Sequence, residues 1–458
     1  MSDTASISSS LPQFILEKPD LSKVDRSKVF EKIESLQEGF VQFLQRVNEP
    51  RYLYWDEAKY KEAPKDLTPE EAWFFIRQFR TIVARPTPIR TEKGDHFKWI
   101  RLPYVDEFLH KIDVSSGGQV FVSMDVLSGS NKQKFISRGI LEEAIASSQL
   151  EGAHTTRQAA KKMIVEKREP RNKDEQMIVN NYNTIVKIDE DYKNQPLSET
   201  LLFELHRMLT QKTIKKEEQG RLRRDSDEIV VRGQIGHQEY VTHIPPKEKF
   251  IKEETGRFID YANDENDEKF LHPIIKAIFL HFWFAYLHPF TDGNGRLARA
   301  LFYWYLLRKN YWTFMYLPIS LVIKRAPVQY AMAYIYSEQD SYDATYFFDF
   351  HIRKIMQALN DFNEYVSTKI LENKEIDKIV SKDTHLTDRQ KHLLHYLISE
   401  NNAQTTITSH AALNNISRQT AAKDIKGLEV AGLVTGNREG KYIKYRVTQK
   451  LLDMSSGS

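Results

Sequence analysis

The stretch "AYLHPFTDGNGRLAR", residues 285–299, combines residue types that could act on a phosphate group. His288 carries a side chain that titrates near physiological pH and can serve as a general base. Asp292 could hold a divalent ion, because Mg²⁺ is typically bound by one carboxylate together with substrate phosphates. Gly293 and Gly295 allow the backbone to approach a ligand closely. This combination predicts that a hydroxyl, deprotonated by His288, attacks a metal-bound polyphosphate.

Two helices must position these residues. The preceding stretch "IIKAIFLHFWFAYL" is apolar nearly all round, which predicts a buried helix from about residue 271, with Pro273 tolerated in its first turn. Pro289 disfavours helical dihedral angles at His288, so this helix should end there and leave the imidazole at the rim of the core. A second helix is predicted to begin near Asn294.

The start of the second helix predicts an anion site. Its first amide groups lack helical partners and lie at the positive end of the helix dipole. Arg296 and Arg299 are three residues apart, so both can lie on one face and add two cations. A histidine-proline turn that merely joins two core helices is the alternative. The combined spacing of base, carboxylate and anion site favours phosphate chemistry.

Composition limits the other classes of function. A chain of 458 residues is expected to form two or three domains, and its net charge of +3 predicts no general polyanion-binding surface. The absence of cysteine excludes disulfides, thiolate metal sites and a cysteine nucleophile. We find no secretory signal and no apolar stretch long enough to span a bilayer, which predicts a cytoplasmic protein without a membrane segment.

The hydrophobic patterning predicts a mainly α fold. Helical spacing extends over residues 27–47 and again from about 135 to 208, with Ser198 as an N-cap. Glycines and β-branched residues predict a strand pair at 117–126 and a hairpin between 225 and 246. The predicted organisation is an N-terminal, mostly helical region at 1–130, a catalytic domain at 131–376, a linker at 377–384 and a C-terminal module at 385–452.

Residues 288–299 resemble the Fic family, because the family signature His-Pro-Phe-x-Asp-Gly-Asn-Gly-Arg-x-x-Arg is matched at every specified position. Similarity extends over about 134–352 and includes "GRLRR" and "HIPP". The resemblance implies a Fic-type helical core with a β-hairpin flap at 229–243, which is thought to pair with the extended backbone of a target protein. It implies a protein adenylyltransferase that moves AMP from ATP to a Ser, Thr or Tyr hydroxyl and releases pyrophosphate. The implied roles are base for His288, Mg²⁺ ligand for Asp292, phosphate cradle for Gly293, Asn294 and Gly295, and contacts to the outer phosphates for Arg296 and Arg299.

A second stretch, "SSQLEGAHTT", resembles the autoinhibitory helix of the same family through its Ser147-x-x-x-Glu151-Gly152 pattern. The resemblance implies an inhibitory helix at about 135–152, whose Glu151 pairs with Arg299 and obstructs the γ-phosphate of ATP. The residues themselves point the same way. Gly152 is typical of a helix C-terminal cap, and a carboxylate in the last helical turn opposes the helix dipole unless a cation compensates it.

The C-terminal module at 385–452 resembles a winged helix-turn-helix in its predicted order of three helices and a hairpin. Ser417 would be the N-cap of its recognition helix. The side chains that could contact DNA are Arg418, Gln419, Thr420 and Lys423 on that helix and Lys441, Lys444 and Arg446 on the wing. Winged helices also bind proteins, so DNA binding and protein docking both stay open.

Alternative functions stay open at this point. Within the enzyme class they are removal of AMP, with Glu151 positioning a water, and use of another phosphate-containing donor. In a different class, the protein would be a DNA-binding regulator that senses nucleotide without modifying anything. The expected small-molecule and protein partners are ATP with Mg²⁺, a target protein that could be the chain itself, and a second copy in a homodimer, because family members often inhibit through helices at dimer contacts.

Overall fold

The computed structural model describes residues 11–449, except 36, 118–128, 167, 266–269, 382–385, 400–402, 415 and 440–441. The chain divides into two compact units, residues 1–360 and 361–458. The predicted N-terminal region and most of the predicted catalytic domain fall in the first unit. The finer domain limits stay a prediction.

The fold is mostly helical, as predicted, and its strands form three separate antiparallel pairs. The helices are α1 Arg26–Ser35, α2 Gln37–Asn48, α3 Trp55–Ala58, α4 Pro69–Val83, α5 Val105–Gly117, α6 Gly129–Leu150, α7 Arg157–Val165, α8 Lys173–Lys187, α9 Glu199–Thr210, α10 Glu248–Ala262, α11 Pro273–Leu287, α12 Asn294–Arg308, α13 Ile319–Lys324, α14 Pro327–Gln339, α15 Thr345–Ser381, α16 Asp388–Ser399, α17 Ile407–Asn414 and α18 Arg418–Val430. The strands are β1 Arg85–Arg90, β2 His96–Trp99, β3 Val231–Ile235, β4 Gln238–His243, β5 Val434–Glu439 and β6 Tyr442–Val447. Short 3₁₀ turns lie at Lys216–Glu218, Asp225–Asp227 and Trp312–Tyr316, and a π-helical turn lies at Ile188–Tyr192.

The two central helices of the first unit are α11 and α12, and both are almost entirely buried. All but two of the 15 residues of α11 are buried, which confirms the prediction of a core helix. Pro273 occupies its first turn, where a missing amide hydrogen costs no helical bond. In α12, Leu297, Leu301 and Trp304 are buried with their neighbours. The loop between the helices is therefore held by two fixed ends.

Local signals predicted several element ends. The Ser198 hydroxyl accepts the Leu201 amide at 3.1 Å and caps α9, as expected. The helical pattern at 27–47 is confirmed by α1 and α2, which lie on either side of residue 36, a position outside the described residues. The helix predicted to end near residue 376 continues to Ser381, so it includes 377–381 of the predicted linker; 382–385 lie outside the described residues.

The strand predictions were less successful. The segment "RPTPIRT", whose two prolines argue against a regular element, forms β1 and pairs with β2 around an irregular register between Pro86 and Arg90. Prolines are tolerated at such edges and bulges. Of the predicted strand pair at 117–126, Gly117 ends α5 and the remainder lies outside the described residues. The hairpin predicted between 225 and 246 is confirmed as β3 and β4.

The second unit contains α16, α17, α18 and the β5–β6 hairpin, in the predicted order. The Ser417 hydroxyl accepts the Thr420 amide at 3.1 Å, which confirms the N-cap of α18. Thr405 exchanges two backbone hydrogen bonds with Tyr445 and so forms a single-residue bridge to the hairpin. The identity of the second unit as a winged helix stays a prediction. Across the described part of the chain, no helix has the length and apolar character that crossing a bilayer requires.

Candidate active site

His288 is the C-cap of α11 and adopts a left-handed conformation, with φ 45° and ψ 56°. Its backbone amide still donates to the Phe284 carbonyl at 3.0 Å, so it is tied to the helix while Pro289 turns the chain away. The residue is half-buried. The predicted position at the rim of the core is therefore confirmed.

Hydrogen bonds from a side chain hold the turn after His288 in place. Asn294 accepts the Phe290 amide at 3.0 Å and donates to the Phe290 carbonyl at 2.8 Å. The Asn294 side chain is thereby committed to the loop, and only its backbone amide is left to act in an anion cradle. Gly293 caps α12 at φ 84°, and a side chain there would overlap Thr210 of α9.

Asp292 lies at the mouth of this turn with 40% of its side chain exposed. One of its oxygens accepts the Gly293 amide at 2.5 Å and the Arg296 guanidinium at 3.1 Å. Arg296 itself is 0% exposed and also donates to the Leu209 carbonyl at 2.9 Å. Arg296 was predicted to lie beside Arg299 as a second cation at the anion site. Its side chain instead points under the loop and binds Asp292.

His206 is a supporting residue that the sequence did not reveal. Its Nδ1 accepts the Gly220 amide at 2.8 Å, so Nε2 carries the proton and donates to the Asp292 carbonyl at 2.9 Å. The ring stacks on Phe290 with centroids 3.8 Å apart. Burial lowers the pKa of His206 to about 4, which keeps this neutral tautomer in place. No local sequence pattern signals such a contact across 86 residues.

The N-terminus of α12 holds a negatively charged group. The first helical hydrogen bond runs from the Leu297 amide to the Gly293 carbonyl, so the amides of residues 294–296 precede the helical ladder. The Glu151 carboxylate lies directly over Gly295, where a side chain at 295 would overlap Oε1. A carboxylate at a helix N-terminus is stabilised by these amides and by the helix dipole.

Glu151 also forms the predicted ion pair with Arg299, at 2.8 Å. Arg299 donates further to the Ser147 hydroxyl at 2.7 Å and to the Ser147 carbonyl at 2.9 Å. Burial alone would lower the pKa of Arg299, but the Glu151 carboxylate raises it above its usual range. Gly152 has φ 90° directly after α6, as expected of a C-terminal cap. The structure thus brings Ser147, Glu151 and Arg299 together.

Helix α6 is firmly anchored at its middle. Buried Glu143 accepts the Tyr303 hydroxyl at 2.8 Å and the Ser320 amide at 2.8 Å, and it also accepts the Ser320 hydroxyl. At Gly139 a side chain would overlap the Met315 carbonyl. Displacement of Glu151 therefore requires movement of the last turn of α6, not of the whole helix.

Two further residues link the catalytic turn to the flap. Arg223, in "GRLRR", donates its Nε to the His288 carbonyl at 2.8 Å and another nitrogen to the Pro246 carbonyl. His243, in "HIPP", contacts Glu338 at 2.7 Å and donates to the Tyr286 carbonyl at 2.8 Å. Both motifs contribute to the family resemblance, but no pattern around them indicates what these side chains bind.

Replacing Arg223 with lysine is expected to lower the rate of the site's reaction by about 10- to 100-fold. One ammonium cannot reproduce the forked contact to two carbonyls, so the backbone of His288 loses a fixed point. Initial-rate measurements with thermal unfolding curves would test this. Arg224→Lys, at the exposed neighbouring position, is the matched control and should leave the rate unchanged; equal rates for both variants would contradict the assignment.

The charge state of His288 suits a base. Burial, the nearby His243 and Arg223 lower its pKa to about 3, against the effect of a hydrogen bond to the Ala285 backbone. A lowered pKa means that the imidazole is unprotonated at pH 7, the form that a general base must have before the reaction.

The pH dependence follows from this direction. Protonation of His288 removes the base, and its pKa lies below the ordinary value of 6.5, so kcat/KM should stay flat from pH 8 to pH 6 and fall only in more acidic solution. A pH series of initial rates at subsaturating nucleotide measures it. An acid limb centred at or above pH 6.5 would contradict the lowered pKa.

An open cavity of about 640 Å³ adjoins the turn. Its wall includes Asp292 and Thr291 from the turn, Asp227 and Ile229 from the start of the flap, and Lys212. Among the described residues there is no cluster of three histidine, aspartate or glutamate side chains that could hold a metal alone. Asp292 is the carboxylate of the turn that could hold a divalent ion, and Mg²⁺ typically combines one or two carboxylates with waters and substrate phosphates.

The predicted DNA contacts of the second unit are only partly available. Lys444 and Arg446 both pair with Glu439, at 2.6 and 2.8 Å. Lys441 lies outside the described residues. On α18, the first turn of the helix carries Arg418, Gln419 and Thr420. The wing therefore offers less free positive charge than its sequence indicates.

The segment that contains this site matches a known protein family. Residues 196–306 match the Fic/DOC family model. The matched region includes the turn, Arg223 and the flap, whereas Glu151 lies before it. The chain thus carries a Fic/DOC-family domain.

The chain is similar to parts of curated proteins and to solved structures. A protein adenylyltransferase Fic of Nematostella vectensis is 39% identical over 69 residues, which cover 15% of this chain and 16% of the relative. A protein adenylyltransferase fic-1 of Caenorhabditis briggsae is 30% identical over 91 residues, 20% of this chain and 17% of the relative. The chain thus spans about one sixth of the length of these curated relatives. Among solved structures, a Fic family protein from Desulfovibrio desulfuricans G20 has a TM-score of 0.47 and 20% identity, covering 76% of this chain and 96% of that chain.

Proposed function

We propose that this chain, with its Fic/DOC-family domain at 196–306, is a protein adenylyltransferase that is inhibited by its own Glu151. It would transfer AMP from ATP to a Ser, Thr or Tyr hydroxyl of a protein. One observation carries the proposal: the Glu151 carboxylate lies over Gly295 at the N-terminus of α12 and binds Arg299, so an anion already occupies the place predicted for the phosphates.

The reaction needs a base beside that anion site. His288 is neutral at pH 7 and lies at the end of the helix that leads into the turn. Its imidazole would take the proton of the acceptor hydroxyl while the hydroxyl oxygen bonds to the α-phosphorus of ATP. The bond from the α-phosphorus to the bridging oxygen breaks, and pyrophosphate leaves with both electrons of that bond. No covalent enzyme intermediate is required.

The remaining residues bind and orient the nucleotide. The backbone amides at 294–296 face the phosphates, and Arg299 would contact the outer phosphates after Glu151 moves away. Asp292 would hold Mg²⁺, which supplies positive charge to the polyphosphate. Arg296 and His206 position Asp292 through its carboxylate and its carbonyl, respectively. A direct contact from Arg296 to phosphate stays a prediction that its buried position does not favour.

The decisive experiment incubates the full chain with Mg²⁺ and ATP that is radiolabelled at either the α- or the γ-phosphate. We expect covalent label on protein, including self-modification, from the α-labelled nucleotide alone, and no label when EDTA removes the metal. Mass spectrometry should find one added AMP on a hydroxyl side chain. Because Glu151 is proposed to inhibit the parent, the Glu151→Gly variant is tested in parallel. Retention of label from the γ-position, or no label from either position in both proteins, would overturn the proposal.

The same samples separate the alternatives. Loss of AMP from a previously modified protein would favour the reverse reaction, with Glu151 positioning a water. Salt-sensitive DNA binding without any transfer would favour a nucleotide-sensing regulator, which the pairing of Lys444 and Arg446 with Glu439 makes the weaker candidate. Homodimer formation, a cytoplasmic location and the docking role of the second unit stay predictions.

A further inference from the structure

Residues 12–17, which we call the strap, run beside the outer edge of the flap hairpin. The Phe14 amide donates to the Val241 carbonyl at 2.9 Å, and the Val241 amide donates to the Pro12 carbonyl at 3.0 Å. These two bonds place Gln13 opposite Val241 in a parallel bridge. Strand β4 therefore has β3 on one side and the strap on the other.

A glutamine side chain at the end of α14 fixes the strap. The Gln339 amide donates to the Phe14 carbonyl at 2.8 Å and accepts the Leu16 amide at 3.0 Å. The Leu16 side chain is 4% exposed. Because one primary amide satisfies two backbone groups of a segment more than 300 residues away, the contact is specific and not incidental.

Other contacts hold both ends of the strap. The Phe14 ring meets the Tyr240 ring of β4 edge-on, with centroids 5.3 Å apart. The Glu17 carbonyl accepts the Tyr54 hydroxyl at 3.0 Å, and its carboxylate pairs with Lys59 at 2.6 Å. The strap thus connects the flap to the N-terminal helices as well as to α14.

The same end of α14 holds the flap from its base. Glu338, next to Gln339, contacts the ring of His243 at the end of β4, and His243 reaches the Tyr286 carbonyl, two residues before His288. Consecutive side chains of one helix therefore fix the strap and the flap relative to the catalytic turn.

The opposite edge of the flap is left open. Among the described residues, β3 pairs only with β4. Ile229, two residues before β3, lines the cavity that contains Asp292. An extended peptide can add to a free strand edge through backbone hydrogen bonds. The β4 edge of the flap is therefore covered by the strap, whereas the β3 edge is open and begins beside the cavity.

We propose that the strap is a third strand of the flap and fixes the flap relative to the turn after His288. The free edge of β3 is then the edge left for the acceptor segment that the family resemblance already implies. The expected effect of the strap on labelling rests on the proposed transfer activity. The contacts of the strap with the flap do not depend on that activity. The strap residues are positioning residues and touch no reacting atom.

Amide hydrogen exchange on the full chain tests the structural part. Gln339→Ala removes both clamping bonds, and Phe14→Pro removes the amide that bonds to Val241. Each should accelerate exchange of the β3 and β4 amides by about tenfold. Phe14→Ala, which keeps that amide, should show a smaller change, and Gln329→Ala, an exposed glutamine of the same helix, none. Unchanged exchange in both Gln339→Ala and Phe14→Pro would overturn the proposal.

Self-labelling in a Glu151→Gly background tests the functional part. Gln339→Ala should lower the maximal labelling rate about tenfold while the KM for ATP stays within about twofold, because the flap and not the phosphate site is loosened. A higher labelling rate would mean that the strap blocks the acceptor and would overturn the proposal, as would an equal rate. If the Glu151→Gly background itself labels nothing, the proposed function fails, while the exchange data still decide whether the strap holds the flap.

Discussion

Replacing His288 with alanine is expected to lower the rate of AMP transfer by about 10²- to 10⁴-fold, the usual contribution of a general base. The imidazole lies at the end of α11, and its pKa is lowered to about 3, so it is unprotonated at pH 7. Quantitative labelling with α-labelled ATP measures the loss. Nucleotide affinity should change little, because in the proposed site the phosphates bind to the neighbouring amides and to Arg299, not to His288.

The control for this variant is His110→Ala, at an exposed histidine of α5. It should label at the parent rate. Thermal unfolding of both variants would show whether the fold is kept, since His288 is a helix cap and is half-buried. Undiminished labelling by a folded His288→Ala protein would remove the imidazole from the mechanism.

The ends of the two central helices could be predicted from the sequence, because the residues that determine them lie at those ends. Pro289 predicts the end of α11, and Gly293 before a helical pattern predicts the start of α12, because these residues restrict or extend backbone conformations at their own positions. The contact between Glu151 and Arg299 was predicted from a family pattern together with an unfavourable charge at a helix C-terminus.

The direction of a long side chain could not be predicted from the sequence where two directions are sterically possible. Arg296 and Arg299 have compatible helical spacing, yet Arg296 turns beneath the loop to Asp292 and the Leu209 carbonyl. Spacing defines a face of a helix but not the partners that a long side chain finds there. Strand β1 was missed for a similar reason, because prolines that interrupt a central strand are tolerated in a two-stranded pair.

Contacts between distant segments left no readable signal at all. The strap bonds to Val241 through backbone atoms, which every residue type except proline offers equally. His206, Arg223 and His243 likewise act on backbone carbonyls that the fold alone brings near. The residues that hold the catalytic turn in place could therefore be identified only from the structure.

Replacing Glu151 with glycine is expected to raise the rate of AMP transfer by about 10- to 100-fold, in the range of coupling between two linked sites. The change removes the carboxylate from the N-terminus of α12 and frees Arg299 for the outer phosphates. It also leaves a buried guanidinium without its ion-pair partner, although Ser147 and Tyr330 remain beside it, which costs stability in the absence of ligand. Binding of ATP should restore that stability, so the thermal shift on adding ATP and Mg²⁺ should be larger for the variant than for the parent.

Two further variants separate charge from shape. Glu151→Gln keeps the volume and removes the negative charge, so its rate should fall between those of the parent and Glu151→Gly. Glu166→Gly replaces an exposed glutamate at the end of α7, and it should change neither labelling nor the ATP-induced shift. If Glu151→Gly and Glu166→Gly label alike, the ion pair at 2.8 Å is structural and inhibition must reside elsewhere. If the glutamine variant matches the glycine variant, the negative charge alone, and not the bulk of the side chain, keeps ATP from its reactive position.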